Sequence, residues 1–247
     1  MKLLLKPSLG ATLATSACAL LLLSTPAMHA DTIYNLSFSG SVTGSGTMDL
    51  NPTTDQITIT LTNTTNLNGS SPSSDANLIA GLIFNLNNAP SSGASLVSQA
   101  GSLVNISKTG SGGTAVPAAG NPTHWGASSS GHQVCLETAG GGSPDCAGPM
   151  QPFDLIITNE ATYNVNSSVT NHDPSIFGTG TFVINIPGLN VDSVVTSASV
   201  VFGTDGSKET ATVTPGGPAT PEPSSLLLAG TGLLGAAGAL RRKMLGR

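Results

Sequence analysis

Alternation of apolar and polar residues is the feature that most limits how this chain can fold. Ile57, Ile59 and Leu61 alternate with Thr58, Thr60 and Thr62, and Phe182, Ile184 and Ile186 alternate until Pro187-Gly188. A period of two puts successive side chains on opposite faces of an extended backbone, so each stretch reads as a half-buried strand. Tyr34, Leu36, Phe38 and Val42 share one face of a first strand or hairpin arm, and Met48 and Leu50 follow the Gly44-Ser45-Gly46 turn. Leu78, Ala80, Leu82, Phe84 and Leu86 alternate too, but Ile79 and Ile83 make this stretch apolar on both faces. That pattern suits a central strand.

Further strands are expected at Phe153–Ile157, with Tyr163 and Val165 as a short partner, and over Val191–Phe202, where Ser197-Ala198-Ser199 marks a bend or bulge. Asp205-Gly206 reads as a hairpin turn into Glu209–Val213. Leu96–Ile106 suggests two short strands about Gly101, and Asn63–Asp75 a polar loop. Thr109–Gly131, rich in Gly, Ser, Ala and Pro without a period, reads as a long surface loop. No stretch has a convincing helical period. Roughly eight to ten short strands between Gly, Asn and Pro turns predict an all-β ectodomain, an antiparallel β-sandwich or jelly roll.

The two ends differ from this middle. Lys2 and Lys6, the apolar stretch densest over Ala17–Leu23, and Pro26 before a small-residue exit make residues 1–30 a secretory signal peptide. It implies Sec translocation and cleavage by signal peptidase after Ala30, with Ala27 as the alternative. Cys18 leaves with it, since Thr15 stands where a lipobox wants Leu and the apolar run continues past the cysteine. At the other end, Pro221, Glu222 and Pro223 precede Ser224–Leu240, 17 residues without a charge, and then Arg241, Arg242 and Lys243. As a helix this run spans about 26 Å, just enough for a hydrocarbon core. The basic cluster stays cytoplasmic by the positive-inside rule, leaving the preceding domain outside. The two prolines hold the chain extended before the helix, as an enzyme that must grip it requires.

This tail resembles the PEP-CTERM sorting signal of Gram-negative bacteria: Pro221-Glu222-Pro223 matches its motif, Ser224–Leu240 its transmembrane helix, and Arg241–Lys243 its basic cluster. The resemblance covers about 25 residues. It implies recognition by an exosortase, an integral-membrane cysteine transpeptidase of bacteria that export exopolysaccharide. The chain is then expected to stay transiently in the inner membrane, be cut near the motif, and pass to the cell surface or extracellular matrix. The domains expected are a signal peptide at 1–30, a β-rich ectodomain at 31–213, a linker at 214–220 and the sorting signal at 221–247, with its helix at 224–240 and basic tail at 241–247.

Between the two signals, Lys108 and Lys208 face twelve acids, a net charge of −10. Such a domain has no electrostatic footprint for nucleic acid. Cys135 and Cys146 are the only cysteines left after signal removal, and in an oxidising compartment they are expected to pair as a disulfide. His124, His132 and His172, with Glu137, Asp145 and Asp173, fit no zinc spacing and read as loop residues. No Gly-x-Ser-x-Gly elbow seats a nucleophile, and Asp49 with Asp55 lacks an EF-hand pattern. Trp125, the sole tryptophan, reads as a plug for a loop. The expectation is therefore a non-catalytic surface or matrix protein associated with exopolysaccharide, with no catalytic residues, metal or cofactor. The alternatives are a sugar- or calcium-binding module built on Thr109–Cys146 and, behind it, a secreted hydrolase.

Overall fold

The computed structural model describes residues 31–216, apart from 41, 70–72, 89, 111, 139–150 and 161, together with 232, 233 and 235. In chain order the strands are β1 (Thr32–Phe38), β2 (Gly44–Asn51), β3 (Gln56–Asn63), β4 (Ile79–Leu86), β5 (Ser95–Ala100), β6 (Leu103–Thr109), β7 (Gly112–Pro117) and β8 (Trp125–Ser130). Then come β9 (Gln133–Thr138), β10 (Ile156–Ile157), β11 (Thr162–Asn164), the one-turn helix α1 (Ser167–Thr170), β12 (Ser175–Phe177), β13 (Thr179–Asn185), β14 (Val195–Phe202) and β15 (Ser207–Pro215).

They join in one curled sheet. One arm runs β15-β1-β2-β3-β13-β5. The other runs β15-β14-β4, then branches to β9 and β8 and, through β10, to β12-β6-β7-β11. Two stretches of β15 make the corner: Ser207–Ala211 pairs with β14 and Thr212–Pro215 with β1. All these ladders are antiparallel except β10 with β12.

Alternation explains the core. Tyr34, Leu36 and Phe38 of β1, Met48 and Leu50 of β2, and Ile57, Ile59 and Leu61 of β3 turn inward. They meet Leu82, Phe84, Val134, Leu136 and Val200 from the second arm. The opposite face of that arm is covered as well: Ala80, Ile83 and Val201 pack with Val104, Ile106, Leu155, Ile157 and Tyr163. β4 lies between these two clusters and is buried along its length apart from half-buried Asn85, as its doubly apolar sequence predicts. Its Gly81 faces Glu137 on β9; a Cβ there would lie 2.6 Å from the Glu137 Cγ and 2.8 Å from the Leu136 carbonyl oxygen. Gly81→Ala is therefore expected to lose about 1 to 3 kcal/mol through overpacking. A urea midpoint equal to the parent's would contradict that close fit.

Two parts of the sequence reading need correction. Tyr163 is not a partner of the strand at Ile156–Ile157: it lies on β11, which pairs with β7, while β10 pairs with β12 and β4. Thr109–Gly131 is not one loop: β7 and β8 both lie in it, which helps raise the strands beyond the expected eight to ten. Their residues are too small and polar to announce a strand, yet β6 and β9 supply complete ladders for them. The expected bulge near Ser197 is present as a register shift between Val195 and Ser197, and Gly203–Gly206 makes the turn into β15, with Gly206 at φ +74°. Among the described residues no helix is long and apolar enough to cross a membrane. The expected transmembrane helix at 224–240, the signal peptide and most of the linker lie outside the described residues.

Both ends of the described β domain sit at one end of the sheet. Tyr34 pairs with Pro215, and the Gly216 N–H donates to the Ile33 carbonyl at 2.6 Å. We call this end the base. The turn between β2 and β3 and the segment joining β13 to β14 lie there too. The opposite end, the apex, carries the Gly203–Gly206 turn and the 3₁₀ turn Asp75–Asn77.

Candidate functional site

Polar side chains converge in two clusters at the apex. The first is centred on Asp154, whose side chain is 1% exposed. Its backbone has φ +58°, a conformation Asp adopts more readily than most residues. The carboxylate accepts the backbone N–H of Thr123 at 2.7 Å and of His124 at 2.9 Å, and its Oδ2 lies 2.8 Å from the His124 Nδ1. The Asp154 carbonyl takes the Trp125 indole N–H at 2.9 Å, and the Asp154 N–H donates to the Pro174 carbonyl. One residue thus fixes the entry to β8 against the segment leading into β10. Trp125 is 3% exposed, with its ring 4.3 Å from that of Phe182. It is a plug, as expected, and its ring is closed to a sugar.

The second cluster joins the 3₁₀ turn to α1 and to the turn before β15. Asp75 Oδ2 accepts the Thr204 hydroxyl at 2.9 Å and lies 3.7 Å from the His172 Nδ1. Burial pushes the Asp75 carboxyl up, but hydrogen bonds from Ser168 and Thr204, with His172 nearby, outweigh it and hold the group below the usual carboxylate range. Asp173 goes the other way. Burial raises it, against a 2.6 Å hydrogen bond from the Ile106 N–H and the proximity of His172.

The signs follow from linkage. Asp75, depressed in the folded state, stabilises above the ordinary carboxylate pKa, and that contribution disappears as pH falls through its folded value. Asp173, raised, favours the fold below the ordinary value, and that contribution disappears as pH rises through its folded value. Asp75→Asn is therefore expected to lower stability at pH 7 more than at pH 3. Asp173→Asn should lower it less at pH 7 than at pH 3. Denaturation at the two pH values checks both, and parallel shifts in the two variants would contradict the assignment.

Asn63 ties the arms together. Its Nδ2 donates to the Ile156 and Asn77 carbonyls at 2.8 and 3.0 Å, and its Oδ1 accepts the Thr65 N–H. Nothing local in the sequence marks Asn63 or Asp154 for these roles, since their partners are mostly distant in the chain.

The histidines are not brought together: His124 belongs to the first cluster, His172 to the second, and His132 to the β8–β9 turn at the base. Among the described residues no group of three or more His, Cys, Asp or Glu could hold a metal ion. Cys135 is fully buried on β9; Cys146 and Asp145 lie outside the described residues, and so does half of the expected disulfide. Asp49 neighbours Asp31; burial and then that charge raise its carboxyl.

Pro221, Glu222, Pro223, Arg241, Arg242 and Lys243 also lie outside the described residues, and for them the comparison with known families is decisive. Residues 219–243 match the family model of the PEP-CTERM protein-sorting motif, at the position the tail's three parts predict. The motif implies exosortase as the processing partner, with export and membrane anchoring before cleavage toward the cell surface. No curated protein and no solved structure matches the chain.

Proposed function

We propose that this is a non-catalytic surface or matrix protein associated with exopolysaccharide, whose ectodomain is an antiparallel β-sandwich of jelly-roll character delivered by its sorting signal. The observation that carries the reading is the sorting motif at 219–243, next to a folded β domain. The residues that first suggest chemistry support it. His124 and Asp154 hold a loop against the core, and His172 and Asp75 join α1 to a turn. A domain with two basic residues against twelve acids suits a hydrated polymer matrix better than a polyanionic partner.

In this reading the inner membrane is a transient station and Cys135–Cys146 is a disulfide that closes the loop between them. By the chain-entropy model so short a loop contributes roughly 2 to 3 kcal/mol. Alkylation of the denatured mature protein is expected to label no cysteine until reductant is added; labelling without reductant would remove the bridge. The functional reading is tested by fractionating cells with and without exopolysaccharide synthesis. The protein is expected in the matrix of the first and in the medium of the second. An unchanged distribution would contradict the association.

A further inference from the structure

The base of the domain lies very close to the sorting motif. Gly216 is the last residue tied to the sheet, through its N–H to the Ile33 carbonyl. Only residues 217–220 separate it from Pro221. Even fully extended, that tether reaches about 16 to 18 Å, less than the length of one eight-residue strand of this sheet. An enzyme that grips 221–223 therefore works within about 18 Å of Gly216, the last residue tied to the base.

The base is also where two large apolar side chains stand open. Val191 is 50% exposed and Val194 44%, both on the segment from β13 to β14. Asp31, Asp49, Asp55 and Asp192 lie in the segments at this end, which contain no lysine or arginine. An acidic end is a poor match for an anionic lipid surface. It suits a protein surface with cationic and apolar groups.

We infer that the base, centred on Val191 and Val194, is a docking surface for the membrane transpeptidase that reads the sorting motif. The inference rests on the sorting function above and adds a second contact to it. Motif and base then bind as two linked sites, each raising the local concentration of the other. The short tether is what couples them.

The test uses the full chain in cells that carry the transpeptidase, following loss of the C-terminal tail by pulse-chase and mass. Val191→Ser with Val194→Ser is expected to slow cleavage about tenfold, the order expected from losing two anchoring contacts. Both positions are exposed, so unchanged Trp125 fluorescence is expected to show the fold intact. A 20-residue Gly-Ser insertion after Thr220 is expected to slow the parent chain and leave the serine variant little changed. A photo-cross-linker at position 194 is expected to trap the transpeptidase itself. Cleavage of the serine variant at the parent rate, acceleration by the insertion, or an adduct to lipid alone would each overturn the docking surface. Replacing Pro221, Glu222 and Pro223 by alanine separates the two ideas: if cleavage then continues at the parent rate, the sorting reading has failed, whatever the base does.

Discussion

Trp125→Ala is expected to destabilise the ectodomain by about 3 to 5 kcal/mol. The indole is almost wholly buried in the main core and packs on Phe182. Its removal leaves a cavity at the start of β8, where the neighbouring strand residues are too small to fill it: Gly126, Ala127 and Ser128 follow directly. The loss also strips the Asp154 carbonyl of its indole donor. Trp125→Phe separates the two effects, since it keeps most of the apolar volume and removes only the hydrogen bond, worth about 1 kcal/mol. Urea unfolding followed by far-ultraviolet circular dichroism checks both variants. An alanine variant within about 1 kcal/mol of the parent would mean that Trp125 is not the plug its geometry describes.

Neutralising Arg241, Arg242 and Lys243 together is expected to abolish most processing while leaving the ectodomain as stable as before. Each basic residue next to the cytoplasmic leaflet contributes about 1 kcal/mol of attraction, so the three together contribute roughly 3 kcal/mol. The apolar run they follow is only 17 residues long and diluted by Gly230, Gly232, Gly235 and Gly238, close to the minimum for spanning. Without the cluster the run has little to stop its transfer or fix its direction. The chain is then expected to leave the membrane with its tail intact and to be lost from the surface fraction. Normal cleavage of the triple alanine variant would show that the cluster has no part in sorting.

The parts of the fold that could be read in advance are those whose information is local. β3 and β13 alternate strictly and pair with each other through seven consecutive residues. β4 is apolar on both faces and lies between two hydrophobic clusters. The sorting signal is read as a linear string, so its residues announce it without any fold. β7 and β8 escaped because Gly112-Gly113-Thr114 and Gly126-Ala127-Ser128 carry almost no apolar contrast; the neighbouring strands, through their ladders, make them strands. Asp154 escaped because its donors at Thr123 and His124 lie 31 and 30 residues away. A separation of 129 residues hides the Asp75–Thr204 contact, which only the meeting of the 3₁₀ turn with the turn before β15 creates.

The most direct test of the sorting function is the mass of the mature C-terminus, taken separately from surface and inner-membrane fractions of cells that contain an exosortase. The account predicts a surface form that ends near Pro221–Pro223 and lacks Arg241, Arg242 and Lys243. A chain that stays in the inner membrane and still ends at Arg247 would contradict it and make the tail a permanent anchor.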